Sequence, residues 1–286
     1  MTEILPDRHR GPLKNPQPEK RTAPLNLFDA PAPQQPEWIV EGLLPAGLSV
    51  FVGPPSSLKS MYALYLGCVV AKGKPLNGAP VSPLRVILCD LENSIRSLKI
   101  RAFQILGMDP SSPNLKILSP ALRDPRFMAL PYQPPGGRPY IVSDPALWTL
   151  NSPHFKHYLD GADNLLIVDP LSGAHSQNDN ANNEMAYVMR QLNELRHAHR
   201  TTGIILVAHT GHGPEKKERV RGAIEIEAAA DWIAVVSRER QTIHVKPKKA
   251  RALGSGVRTF SARFGPRGFT ELEAESPQIA FDYEKE

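Results

Sequence analysis

The chain has 286 residues, of which 41% are hydrophobic and 22% charged, with a formal net charge of +5. That length suits one large α/β domain with extensions and crowds out two full enzyme domains. That much apolar material supports a real core and excludes a chain disordered throughout. The only cysteines, Cys68 and Cys89, sit inside apolar runs, which argues against a disulfide framework or a four-cysteine zinc site. Residues 1–37 lack the apolar core of a signal peptide. The longest apolar stretch, Met61 to Ala71, falls far short of the ~20 residues a membrane span needs. A soluble, cytoplasmic protein with no membrane partner is expected.

Of 29 prolines, nine lie between Pro6 and Pro45 and ten between Pro110 and Pro153. Residues 1–37 balance five acids against five Lys or Arg and have little to bury, so a flexible Pro-rich arm is expected there. From Trp38 the pattern changes. Leu48 to Val52 reads as a short buried strand, broken at once by Gly-Pro-Pro-Ser-Ser, and Lys59 to Lys72 reads as a helix apolar on all sides. Leu84 to Cys89 is a second strand, and Asn93 to Leu106 has helical spacing. Residues 108–153 read as a Pro-rich insertion, with short extended runs at Leu115 to Leu118 and Tyr140 to Val142.

Order returns with the strand Asn164 to Asp169, a polar loop Ser172 to Asn183, and a helix Glu184 to His199 with an apolar stripe at Met185, Val188, Met189, Leu192 and Leu195. A strand Gly203 to His209, a polar loop through Arg221, a short helix Ala223 to Ala230, and strands at Trp232 to Val236, Thr242 to Val245 and Val257 to Ala262 follow. Strand and helix alternate, so the fold class is α/β: a mostly parallel twisted sheet with helices on both faces and an antiparallel C-terminal extension. The domain is expected over 38–270, with 271–286 as an acidic tail. Between Arg238 and Arg267 nine Lys or Arg face one acid, Glu239. Such a stripe either meets a polyanion or is a solvated face balanced by that tail.

The segment Gly53, Pro54, Pro55, Ser56, Ser57, Leu58, Lys59, Ser60 and Met61 stands directly after a strand and opens a helix, the place of a phosphate-binding P-loop. Turn amides and the positive helix N-terminus would cradle the β- and γ-phosphates of ATP. Lys59 would reach the same oxygens, and the Ser60 hydroxyl would hold Mg²⁺. Leu58 occupies the position of the motif's second glycine, which is tolerable only if its Cβ points into the fold. Asp169 ends an apolar strand about 110 residues after Lys59 and is expected to join Ser60 at the magnesium ion. After the second strand, Glu92 could polarise a water for in-line attack. Asp90 competes for that role, and either carboxylate could instead cap the helix at Asn93.

In order, Trp38 to Pro45, the P-loop, Leu91-Glu92 with Arg96 and Arg101, Leu166 to Pro170, Leu206 to Thr210 and Arg221-Gly222-Ala223 resemble the RecA-like AAA ATPases of the plasmid RepA helicase type, relatives of the DnaB replicative helicases. The resemblance covers about residues 37–262. It implies a RecA-like P-loop core in which Glu92 is the catalytic base, Asp169 the magnesium carboxylate and His209 a γ-phosphate sensor at a strand end. It also implies a cation reaching the phosphates from a neighbouring subunit, matched here by Arg221, Lys249 or Arg251. The two polar loops, Ser172 to Asn183 and Gly211 to Val220, would line a channel for single-stranded DNA, the second through Lys216, Lys217 and Arg219. The expected assembly is a homo-oligomeric ring, a hexamer, that hydrolyses ATP to move DNA. A recombinase-like or loader ATPase that assembles on DNA without unwinding it, and a nucleotide-gated DNA-binding protein with little hydrolysis, are the alternatives.

Overall fold

A computed structural model describes residues 38–108, 114–118, 159, 163–175, 182–198, 201–210, 220, 224–251 and 257–271. Contacts divide the chain between Gln35 and Pro36, and every described residue belongs to the second unit. The arm 1–37, most of the insertion including Tyr140 to Val142, residues 211–219 with Lys216, Lys217 and Arg219, Arg221 itself, and the tail beyond Glu271 lie outside the described residues. Residues 176–181 of the first polar loop do so too.

Eleven strands form among the described residues: β1 (Trp38–Val40), β2 (Leu44–Pro45), β3 (Gly47–Gly53), β4 (Arg85–Asp90), β5 (Leu115–Leu118), β6 (Asn164–Asp169), β7 (Thr201–His209), β8 (Trp232–Glu239), β9 (Thr242–Ala250), β10 (Phe260–Gly265) and β11 (Gly268–Glu271). The first two pair as a small antiparallel ribbon, and the other nine form one sheet in the order β11-β10-β9-β8-β3-β7-β6-β4-β5. From β8 to β5 neighbours are parallel; β9, β10 and β11 are antiparallel additions. This is the α/β sheet expected from the alternation of patterns.

Strands β3, β4 and β6 are apolar runs buried almost throughout, as a parallel sheet covered on both faces requires. One face carries helix α1 (Lys59–Lys72) and the other carries α3 (Asn182–Ala198) and α4 (Ile224–Ala229). The α3 stripe Met185, Val188, Met189, Leu192 and Leu195 is buried against β3, β6 and β7. On the α1 face, Phe51 and Trp232 meet edge to face at 5.6 Å, Tyr62 lies 5.2 Å from Phe260, and Tyr65 lies 4.9 Å from Phe269. This aromatic seam, worth ~0.5–1.5 kcal/mol per pair beyond area burial, joins α1 to both the central and the antiparallel strands.

The element bounds differ from the sequence reading in three places. The helix expected over Asn93 to Leu106 is α2 (Ile95–Lys99), capped by the Ser94 hydroxyl accepting from the Ser97 N–H, followed by a π-helical stretch Ile100–Ile105. There the Leu106 N–H bonds the Arg101 carbonyl five residues back, and the wider turn keeps Ala102, Phe103, Ile105 and Leu106 on the core. Strands β8 and β9 run on to Glu239 and Ala250. In those extensions every residue is exposed or only partly buried, so there was no apolar run to read. The last predicted strand begins at Phe260, and a further strand, β11, pairs with it.

At the sheet end opposite the P-loop, Asp231 pins three elements. Its carboxylate accepts the Leu48 N–H at 2.8 Å and pairs with Arg196 of α3 at 3.1 Å. Gly47 stands at φ +107°, and a Cβ there would lie 2.5 Å from the same oxygen. Asp231→Ala is therefore expected to lower unfolding free energy by about 1–3 kcal/mol, measured by urea denaturation, while leaving nucleotide affinity unchanged.

Candidate active site

The site is built where four neighbouring strands, β3, β7, β6 and β4, finish at the same edge. Register places Gly53 opposite His209 and Asp90 opposite Asp169. A loop of five residues then joins β3 to α1. Ser56 (φ 64°) and Leu58 (φ 66°) are both left-handed, an alternation that turns successive amides toward a common centre, as in anion-binding nests. Gly53 meets a steric demand as well, since a Cβ there would lie 2.3 Å from the Val236 carbonyl oxygen. Helix α1 has no side-chain cap and no acid in its first turn. Its leading N–H groups and positive dipole end are thus left for an external acceptor.

Lys59 is only 5% exposed. Its ammonium donates to the Pro54 carbonyl at 3.2 Å and lies 3.2 Å from His209 Nδ1. Burial pulls its pKa below the usual lysine value, while Asp169 and Glu92 pull it back up. The Ser60 hydroxyl donates to Asp169 Oδ1 at 3.0 Å. Asp169 is 3% exposed; burial, together with Asp90 and Glu92, raises its pKa to about 7, against the lowering effect of Ser60 and Lys59. A hydroxyl and a carboxylate in contact, with the carboxylate short of positive charge, suit Mg²⁺, which takes one or two protein oxygens and completes its shell with water and phosphate. Lys59 thus meets His209, Ser60 meets Asp169, and Glu92 stands within electrostatic range of Lys59 and Asp169.

Glu92 and Asp90 separate cleanly. Asp90 is 2% exposed, and its oxygens accept the Glu92 N–H at 3.2 Å, the Asn93 N–H at 2.7 Å and the Asn93 side-chain amide at 2.8 Å. Glu92 is exposed, toward the side where Lys59 feels it. The Asp90 oxygens are thus taken up by the turn, whereas Glu92 stays exposed. The Asp90 side chain caps the turn at 92–93, a local pattern legible as an aspartate accepting amides two and three residues on.

Leu58, in the glycine position, is half-buried and packs against the core on the α1 side. Its backbone keeps the left-handed shape that glycine would take without strain, at a cost of about 1–2 kcal/mol. Lys249 and Arg251, the two cations suggested for action on a neighbouring subunit, donate within their own chain to the carbonyls ending α4: Lys249 to Glu227 and Ala228, Arg251 to Ala228. Burial and the adjacent Arg251 depress the Lys249 pKa. Lys248 pairs with the Glu227 carboxylate at 3.2 Å, and the same oxygen accepts the Val220 N–H at 3.1 Å. Nothing in the sequence pattern marked Glu227, because its partners, Val220 and Lys248, lie outside its own helix on either side of it in the chain.

Two outcomes follow. Leu58→Ala keeps the left-handed strain and loses packing, whereas Leu58→Gly loses packing but removes the strain. Thermal denaturation should rank glycine above alanine by about 1 kcal/mol, the reverse of their order inside a helix. Asp169→Asn, compared with wild type in EDTA without nucleotide, should raise the melting temperature at pH 8 and raise it much less at pH 5. The folded-state pKa of Asp169 is raised from 3.8 to about 7, so the penalty of its burial builds as pH rises from the unfolded value and is complete only above about 7.

A family model described as an AAA domain matches residues 15–130, a range that includes the P-loop, β4 and Glu92. No curated protein matches the sequence. Among solved structures, the fold is similar to the RadB recombinase, with TM-score 0.50 and 15% identity over 82% of this chain and 93% of that one. It is also similar to the flagellar accessory protein FlaH from Methanocaldococcus jannaschii, with TM-score 0.51 and 15% identity over 82% and 91% of the two chains. With these neighbours, and with the strand order and site geometry above, the core has the RecA-like α/β fold.

Proposed function

We propose that this chain is a Mg²⁺-dependent P-loop ATPase that assembles with copies of itself on single-stranded DNA in a recombinase-like or loader manner. The observation that carries the proposal is the convergence of Lys59, Ser60, Asp169, His209 and Glu92 at the ends of adjacent strands around an uncapped helix N-terminus. The likeness to the RadB recombinase supports the choice of a DNA-bound assembly.

Bound Mg²⁺–ATP supplies the electrophilic γ-phosphoryl group, and the metal neutralises its charge. Gly53 to Met61 grip the phosphates through backbone amides, and Lys59 exchanges its contacts with Pro54 and His209 for phosphate oxygens. Ser60 and Asp169 hold the metal, and Glu92 accepts a proton from the attacking water. His209 reports occupancy through the ammonium it already touches. Arg221, Lys249 or Arg251 stabilises the phosphoryl charge from a neighbouring subunit. Lys216, Lys217 and Arg219 track the DNA backbone, which makes binding salt-dependent and indifferent to sequence.

The motif order from Trp38 to Ala223 favours a second reading, a RepA-type hexameric replicative helicase that translocates on single-stranded DNA. Turnover with and without single-stranded DNA, followed by strand displacement, separates the two. DNA-stimulated turnover alone supports the assembly reading, and stimulated turnover with unwinding supports the helicase. Absence of turnover in the presence of tight nucleotide binding overturns both and leaves a nucleotide-gated switch. Within either reading, Lys59→Ala should abolish nucleotide binding, and Glu92→Gln should preserve binding while lowering kcat by about 10²–10⁴-fold; normal turnover in Glu92→Gln removes it as the base.

A further inference from the structure

We infer that Asp90 is the positioning residue of the proposed base: its buried carboxylate builds the turn that carries Glu92, and Asn93 clamps that carboxylate from the far side. The inference deepens the ATPase reading and rests on it for its catalytic consequence.

Strand β4 stops pairing at Asp90, opposite Asp169, and the next residue, Leu91, donates its N–H to the Asp169 carbonyl at 2.8 Å. From there the chain must leave the sheet and still present a carboxylate toward the P-loop. Nothing regular holds residues 92 and 93, since α2 begins only at Ile95 behind its own Ser94 cap. Asp90 supplies the missing order. Oδ1 receives both the Glu92 and the Asn93 backbone N–H, and Oδ2 receives the Asn93 side-chain amide. Three donors on a side chain 2% exposed fix its rotamer and leave it no free face for substrate.

The arrangement also has a cost that calls for a reason. A second carboxylate is buried opposite the proposed magnesium carboxylate in the strand register, and like charges so placed repel. An uncharged acceptor such as Ser or Thr at position 90 would cap the same turn without that repulsion. Only a carboxylate presents two acceptor oxygens in a plane, one for the turn amides and one for the Asn93 side-chain amide. The two-sided grip makes the Glu92 position rigid, and a general base displaced by ~1 Å loses about 10²-fold in rate.

The test uses the full chain with Asp90→Ala, Asp90→Asn, Glu92→Gln and the Asp90→Ala/Glu92→Gln double variant. Binding is read with a non-hydrolysable ATP analogue and Mg²⁺, turnover by kcat, and the turn itself by amide hydrogen exchange at residues 92 and 93. Asp90→Ala should lower kcat about 10²-fold with analogue affinity unchanged, and Asp90→Asn, which keeps one acceptor oxygen, should restore most of it. In the Glu92→Gln background Asp90→Ala should lower turnover no further, because the group it positions is already gone. Equal losses in both backgrounds, or a wild-type kcat in Asp90→Ala, overturn the inference. Exchange at 92 and 93 should quicken in Asp90→Ala and recover in Asp90→Asn. That readout holds even if the wild type proves not to hydrolyse ATP, and protection that survives Asp90→Ala overturns the positioning role independently of the ATPase reading.

Discussion

A buried lysine at the start of the helix that follows a central strand is the constraint around which this molecule is organised. Lys59 is buried and held by a loop carbonyl and an imidazole, with two carboxylates in range. Burial lowers its pKa. What opposes that shift is the parallel arrangement, which ends β6 at Asp169 and β4 just before Glu92 on the same edge as β3. The charges balance only if all four strand ends remain in register, so the site and the sheet specify each other.

Much of this was legible in the sequence because it depends on short-range rules. A strand, a glycine, a turn and a Lys-Ser pair opening an apolar helix are contiguous, and the Asp169 strand is a plain apolar run with one acid at its end. The alternation of strands and helices pointed to the parallel α/β sheet, and the RecA-like core came from the resemblance carried by the motif order. The local pattern alone did not separate Asp90 from Glu92, because both sit at the end of the same strand and their division of labour depends on which of them the turn amides claim. The π-helical stretch was hidden for a similar reason: its extra residue per turn answers to core packing across the sheet, and the apolar spacing of Ile95 to Leu106 fits an ordinary helix as well.

Leu58 shows how a departure from a motif can preserve its geometry. The phosphate loop needs a left-handed residue before Lys59, and here leucine adopts that shape with its side chain laid on the core. Glycine would reach the same backbone without strain but would contribute no contact. Packing offsets conformational strain, so a pattern match that counts glycines undervalues the loop.

The aromatic seam has a mechanical consequence. Tyr62 and Tyr65 on the first turns of α1 are wedged among Phe51, Trp232, Phe260 and Phe269, and close-packed rings transmit displacement instead of absorbing it. The helix that presents Lys59 and the outer ribbon that bears Lys249 and Arg251 therefore behave as one stiff lever. Filling the cradle at one arm would be felt, as torque, in the outer antiparallel strands.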